Sequence, residues 1–355
     1  MTKILHTGDL HLNALRDFEG FLGRAERTLN QISELAAEEA VDVVVVAGDL
    51  YHSKSISHLE RQLLSDWLGS CPVPVIAISG NHETRSEEFG DTTLSYLARL
   101  KHKKHTVHDG APRILKKCGC SWLLFPYYGW THTEFTLLLE AMLEHVPVNR
   151  PVVVVLHEYV TGAKTDTGFE KKERSKIVLL GDRFPQITYW ALGDVHKCQA
   201  ILPHAWYCGS PHQTKFDEVL PKGVLIVDTD NPTEPTFVPL ESTPLLLFEE
   251  LPETVPTDAF VHFKPATLEA AAAAENLPPN VKYHPSTQLF KDRKRPERPA
   301  EFGLFSQLEE HLRAAGLNRA MRRRSWKYLK EIGTQASITV TVPKQHRRRR
   351  RKKRS

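Results

Sequence analysis

The sequence predicts an α/β protein built on a layered sheet, and two observations predict it. Short, continuous β-branched runs alternate with segments whose apolar residues recur at three- and four-residue spacing. Five clusters of oxygen- and nitrogen-bearing side chains follow directly on apolar runs, as expected of α/β sites formed beyond the carboxyl ends of strands.

The first six residues, ending Ile4-Leu5-His6, read as a strand leading to Asp9-Leu10-His11. They lack the layout of a secretory leader. Residues 17–40 read as a helix, because Phe18, Phe21, Leu22, Ala25, Leu29, Ile32, Leu35 and Ala36 share one face. The run Val43-Val44-Val45-Val46-Ala47 precedes Gly48-Asp49, and Val75-Ile76-Ala77-Ile78-Ser79 precedes Gly80-Asn81-His82-Glu83. Residues 152–156 precede His157, and residues 187–192 precede Gly193-Asp194-Val195-His196. Runs without polar alternation predict strands buried on both faces. Further helices are predicted over 58–68 and 133–143. Strands at 223–228 and 235–239, separated by a turn at Asp230-Asn231-Pro232, close the first domain near Glu241. Strands at 245–251 and 259–263 and an alanine-rich helix over 268–276 predict a small α+β unit. A charged linker at 291–296 leads to two helices, 302–315 and 318–332, hinged at Gly316. The expected division is 1–241, 242–285, 286–340 and a disordered basic tail at 341–355, with no internal repeat.

At 355 residues and 41% hydrophobic content, the chain suffices for one large domain and a smaller attachment. No apolar stretch approaches the roughly 20 residues that span a bilayer. The five cysteines, Cys71, Cys118, Cys120, Cys198 and Cys208, contain no CxxC pair. Reduced thiols in a cytoplasmic protein are expected, and a thiolate zinc site is not. The net charge is +4, but eight positive charges sit in one run: Arg347, Arg348, Arg349, Arg350, Arg351, Lys352, Lys353 and Arg354. Removing those eight leaves −4 for the rest, a mildly acidic body with a basic end. Such a run cannot pack on itself. It suits a nucleic-acid backbone or a plain solvated tail.

Asp, His and Asn side chains suit Mn²⁺, Fe²⁺ or Zn²⁺, and carboxylates favour the harder ions. Asp9 and His11 are expected to point the same way on an extended segment, as are Asp194 and His196, because a strand repeats every two residues. A carboxylate such as Asp49 can bridge two ions. Ions about 4 Å apart clamp the attacking and leaving oxygens of an in-line displacement. A lone Gly-Asp or His after a strand is usually a turn. Five such clusters in one chain, one of them Gly-Asn-His, predict a dinuclear site.

The clusters resemble the signature of the calcineurin-like metallophosphoesterases (D-x-H, G-D, G-N-H, H and G-H-x-H) over about residues 1–240. Four stretches resemble the SbcD-type DNA double-strand-break repair nucleases more closely. They are Gly48-Asp49-Leu50-Tyr51-His52, Leu156-His157-Glu158-Tyr159-Val160-Thr161-Gly162, Ala191-Leu192-Gly193-Asp194-Val195-His196-Lys197-Cys198-Gln199, and Tyr207-Cys208-Gly209-Ser210-Pro211. The resemblance implies a central β-sandwich flanked by helices, a small α+β capping domain, and a helical, basic C-terminal extension. It implies two divalent ions, Mn²⁺ first and Mg²⁺ second. One would be held by Asp9, His11, Asp49 and His196, the other by Asp49, Asn81, His157 and Asp194. It implies that His82 sits over the scissile phosphate and that His52 engages the DNA strand. An ordinary loop histidine is the alternative at position 52. Glu83, where the family often has Asp, reads as support for its loop.

The implied activity is exonuclease and endonuclease action on DNA in repair, recombination or replication, 3′ to 5′ at duplex ends and on single strands or hairpins. The implied partners are DNA, an SMC-like ATPase of SbcC type and a second copy of the chain, in the cytoplasm and away from membranes. The helices at 302–315 and 318–332 occupy the place where the family docks its ATPase. The second is basic, with Arg319, Arg322, Arg323, Arg324, Lys327 and Lys330, and suits DNA equally. A phosphatase of smaller phosphoesters and an inactive scaffold of the same fold are the competing expectations. Position 194 departs from the family, with Asp in place of His. A carboxylate there keeps a similar reach and favours Mn²⁺ or Mg²⁺ over Zn²⁺, or else weakens the second site.

Overall fold

The computed structural model describes residues 1–100, 103–166, 168, 177–179, 181–267, 270–271 and 277–284. The expected linker at 291–296, the helices at 302–315 and 318–332 and the basic run at 347–354 lie outside the described residues, as does most of the helix expected over 268–276.

In chain order, β1 (Lys3–Thr7) is followed by α1 (Phe21–Glu38), β2 (Val43–Val46), α2 (His58–Ser70), β3 (Val75–Ile78), α3 (Ser95–Ala98) and β4 (Thr106–His108). Then come β5 (Arg113–Lys117), β6 (Cys120–Phe125), α4 (His132–Leu143), β7 (Val152–His157), β8 (Tyr189–Gly193), β9 (Gln199–Leu202) and β10 (Ala205–Tyr207). β11 (Gly223–Asp228) and β12 (Asn231–Pro239) precede β13 (Leu245–Phe248), β14 (Phe260–Phe263) and β15 (Val281–Tyr283).

The strands form two six-stranded sheets, ordered β12-β11-β1-β2-β3-β4 and β5-β6-β7-β8-β10-β9. Within the first, β1, β2, β3 and β4 are parallel; within the second, β6, β7, β8 and β10 are parallel. Alternation along β2 shows why these runs are apolar throughout. Val43 and Val45 face a core shared with Trp122, Leu124, Val153 and Val155 of the second sheet. Val44 and Val46 face a core shared with Leu29 and Ile32 of α1 and Leu64 and Trp67 of α2. On the far side, Val154 and Leu156 of β7 pack with Phe135 and Leu139 of α4. The result is two sheets face to face with helices outside both, and every central strand is buried on two faces.

Local signals set the helix limits. α1 begins at Phe21 instead of residue 17, because Gly20 adopts a φ of 82°, off the helical path. α2 and α4 each start from a capping box, Ser57 with Glu60 and Thr131 with Glu134. Pro232 lies inside β12, an edge strand, where its missing N–H costs no ladder bond. The third sheet, β13-β14-β15, is parallel. It packs against the loop after β1 through Leu245 and Phe260, which meet Leu15 and Phe18. Among the described residues, no helix is long and apolar enough to cross a membrane.

Candidate metal centre

The loops after β1 and β2 run side by side. The Asp9 N–H donates to Gly48 O at 3.0 Å, His11 N–H to Asp49 O at 2.9 Å, and Leu12 N–H to Leu50 O at 2.9 Å. This pairing holds Asp9, His11 and Asp49 at φ values of 50°, 42° and 52°, the left-handed region that non-glycine residues rarely adopt. The extended geometry expected for Asp9 and His11 is therefore not what forms. The side chains converge because the backbone turns sharply after each strand. Asp194 is likewise left-handed, at φ 96°. Four of the six non-glycine residues with positive φ among those described are candidate ligands, a concentration that marks a functional site.

Two glycines allow the close approach. A Cβ on Gly48 would lie 2.1 Å from His157 Nδ1, and one on Gly80 would lie 2.1 Å from Asp49 Oδ1. Across the sandwich, His157 Nδ1 donates to Ala47 O at 2.7 Å, so the second sheet's ligand is aimed by the first sheet's backbone. The Asp194 N–H donates to the Asp9 carboxylate at 3.2 Å. His196 Nδ1 donates to Glu218 Oε1 at 2.6 Å, and Glu218 in turn meets Lys222 Nζ at 3.3 Å and the Thr214 hydroxyl.

The candidate ligand atoms fall into adjoining groups. Asp9, His11 and His196 form one, and Asp9, Asp49 and His157 form another. The two oxygens of Asp49 face different histidines: Oδ2 lies 3.5 Å from His11 Nε2, and Oδ1 lies 3.5 Å from His157 Nε2. Asn81 Oδ1 lies 3.0 Å from His157 Nε2. Asp194 lines the same cleft but stands apart from these tight groups; its charge acts on both Asp9 and His157.

Electrostatics favour a cation here. Asp9 is fully buried, and burial pushes its carboxyl up to about 7. Burial also works to raise Asp49, but His157, His11 and His82 overcome it and hold that carboxyl well below the usual range. Burial opposes the charged form of His157, yet Asp49, Asp9 and Asp194 hold it well above its ordinary value. The carboxylates thus favour positive charge in the site, here on the His157 ring. The nitrogens show the same need. With their Nδ1 atoms committed to donation, His157 and His196 direct Nε2 at Asn81 Oδ1 and at His11 Nε2, the latter at 3.0 Å. Neutral rings would set acceptor against acceptor, so each Nε2 calls for a proton, as the raised pKa values of His157 and His196 indicate, or for a cation in its place. The donor set of carboxylate oxygens, imidazole nitrogens and an amide oxygen fits divalent ions.

His82 and His52 cap the cluster. The His82 N–H donates to Asp49 Oδ1 at 3.0 Å, and its Nδ1 donates to His52 O at 2.7 Å, which turns Nε2 toward Asp49 Oδ2 at 3.9 Å. The His52 ring lies 4.8 Å from that of His82, tilted by 32°, and its Nδ1 lies 3.3 Å from His11 Nδ1. Burial, then His82, lowers the His52 pKa to about 4, so it stands neutral. Glu83 braces the loops: Oε1 accepts from Tyr51 N–H at 2.6 Å and Oε2 from Gly80 N–H at 2.8 Å.

The calcineurin-like phosphoesterase family profile matches residues 2–198. The chain belongs to that family. Family members use divalent metals to hydrolyse phosphoesters. The SbcD component of the SbcCD nuclease of Escherichia coli K12 is 24% identical over 251 residues, covering 61% of this chain and 62% of that protein. DNA double-strand break repair protein Mre11 of Haloferax volcanii is 28% identical over 250 residues, covering 64% of this chain and 49% of that protein. The matched stretch thus spans less than two thirds of either relative.

Sequence reasoning does not single out Glu218 or Asn13. Asn13 Oδ1 accepts the His52 N–H at 2.6 Å. Glu158 stands out in the sequence only as part of a motif, yet its Oε1 accepts from Gly129 N–H at 2.6 Å and Trp130 N–H at 3.1 Å, fixing one wall of the cleft. That cleft, about 500 Å³, is lined by His11, Asp49, His52, Asn81, His82 and Trp130 among others.

Proposed function

We propose that this phosphoesterase is a DNA nuclease, acting on phosphodiester bonds with two divalent ions, Mn²⁺ before Mg²⁺. The observation that carries the two-ion reading is Asp49, whose two oxygens face opposite histidines. Asp9, His11, Asp49 and His196 would hold one ion; Asp49, Asn81, His157 and Asp194 would hold the other. When bound, such ions polarise the phosphate and make a water nucleophilic at neutral pH.

The chain's own residues do the rest. Ala47 O and Glu218 aim His157 and His196. The His52 carbonyl holds the His82 Nδ1–H and leaves Nε2 facing the cleft; as the imidazolium, with a second proton on Nε2, the ring would stabilise the developing charge or give that proton to the leaving oxygen. His52 stands beside it as the contact to the DNA strand.

The choice of DNA rests on relatives whose names describe nucleases and break repair. The proposal extends to residues 1–241 as nuclease domain, 242–285 as cap, 286–340 as a docking region for an SbcC-type ATPase, and Arg347–Arg354 as a DNA-binding tail. A homodimer in the cytoplasm completes it.

The test is cleavage of end-labelled duplex and hairpin DNA with Mn²⁺. The wild type should cut. Asp49→Ala should abolish cutting, and His82→Ala should slow it by about 10²–10⁴-fold. Hydrolysis of a nitrophenyl phosphate monoester without any DNA cleavage would move the assignment to a smaller phosphoester.

A further inference from the structure

Trp130 lines the cleft, and against it rests an aromatic ladder, Tyr128 and Phe89, that the metal chemistry does not use. Phe89 is 44% exposed and Tyr128 is 40% exposed, unusual for rings of this size. Their centroids lie 4.4 Å apart with 22° between planes. Trp130, buried beneath, lies 4.8 Å from Tyr128 and 5.9 Å from Phe89. Phe89 comes from the loop after His82, and the other two from the turn between β6 and α4. The two sheets thus each contribute one side of the ladder.

Its position is held without burying its outer rings. Glu158, the residue after His157, accepts from the N–H groups of Tyr128, Gly129 and Trp130. Gly129 takes the φ of 75° that the turn requires. Tyr127 N–H donates to Ser79 O at 3.0 Å, and the Tyr127 ring lies 6.3 Å from that of His157. The Phe89 loop is pinned by Arg85 N–H to Asp91 O at 2.9 Å and Gly90 N–H to Asp109 O at 3.0 Å. Two exposed rings are thus fixed next to Gly129 and Trp130, which line the cleft, and offer a flat face to a planar group.

We propose that the Phe89–Tyr128 pair is a stacking platform for an unpaired nucleobase of the strand whose phosphate enters the metal cluster. The inference rests on the nuclease reading and names the strand form it takes. Charge favours a base over a phosphate at this spot: Glu87 and Glu88 outnumber Arg85 among the exposed charges of the Phe89 loop, whereas Lys215 lines the cleft with the candidate ligands. Aromatic faces hold any base, so the platform grips an unpaired end without reading sequence.

The test uses the full chain with His82→Ala, which slows hydrolysis, in Mn²⁺. The probe is a single-stranded oligonucleotide carrying 2-aminopurine near its end. Stacking on the platform should quench the probe. Phe89→Ala and Tyr128→Ala should each remove the quench and weaken binding about tenfold, the loss of one base–aromatic stack. Phe89→Tyr and Tyr128→Phe should keep both. No quench, or a quench that survives both alanine variants, overturns the platform; the latter result would leave the rings to a protein partner. Cleavage by the wild type is scored separately on the same oligonucleotide. Cleavage without a platform-dependent quench sinks only this inference, and such a quench without cleavage sinks only the nuclease reading.

Discussion

The loops after β1 and β2 and the loop after β8 reach the same cluster by different means. In the first pair, backbone holds backbone: Asp9, His11 and Asp49 are set by main-chain bonds between neighbouring loops. His157 belongs with them, since Ala47 O orients it. After β8, side chains take over. Asp194 is tethered through its N–H to the Asp9 carboxylate, and His196 through Glu218. Candidate ligands set by backbone keep their place as long as the paired loops do. Ligands set by side chains can be weakened one contact at a time. Asp194, which stands where the resemblance expects His, lies in the second kind of region, where a change of side chain perturbs the fold least.

The largest expected effect comes where the two regions meet. A Cβ on Gly193 would fall 1.9 Å from Ala47 O and 2.9 Å from His157 Nδ1. Gly193→Ala must therefore push β8 away from Ala47 of the first sheet. We expect a loss above about 4 kcal/mol, or failure to fold, read by chemical denaturation. A loss under about 1 kcal/mol would show that the backbone-held region is not rigid.

This division also explains what is legible in the sequence. Val43–Val46 and Val152–His157 announce themselves because both faces are apolar, and the candidate ligands lie at or within a few residues of the strand ends. The turn geometry at Asp9 and His11 is not legible, because it depends on pairing with a loop about forty residues away. Glu218 is invisible for the same reason: it lies in an irregular loop with no periodicity, and only folding brings it to His196. The stacked Phe89 and Tyr128 likewise join two loops that show no pattern alone. Motifs tell which atoms meet. The devices that aim them are long-range and leave no local trace.

Glu218→Gln tests the side-chain-held region next. The amide keeps the shape but loses the charge that secures His196 Nδ1–H. Outer partners of metal-bound histidines are worth about 10–100-fold in metal affinity, so Mn²⁺ titration by calorimetry should show a loss in that range. The circular dichroism spectrum should remain that of the wild type. An unchanged Mn²⁺ affinity would mean that the Ala47-type backbone constraint extends to His196 as well.

The smallest effect is expected at Asp194 itself. Histidine tolerates left-handed backbone better than most residues, so Asp194→His should fold normally at φ 96°. The substitution trades a hard oxygen donor for an imidazole and removes a negative charge that acts on Asp9 and His157. Relative affinity should move a few-fold from Mn²⁺ toward Zn²⁺ while two ions still bind, as read by competition titration. An unchanged preference would mean that the Asp194 carboxylate does not ligate, consistent with its place outside the tight groups. A wild type binding one ion against two in Asp194→His would show that the departure from the family pattern costs the second site.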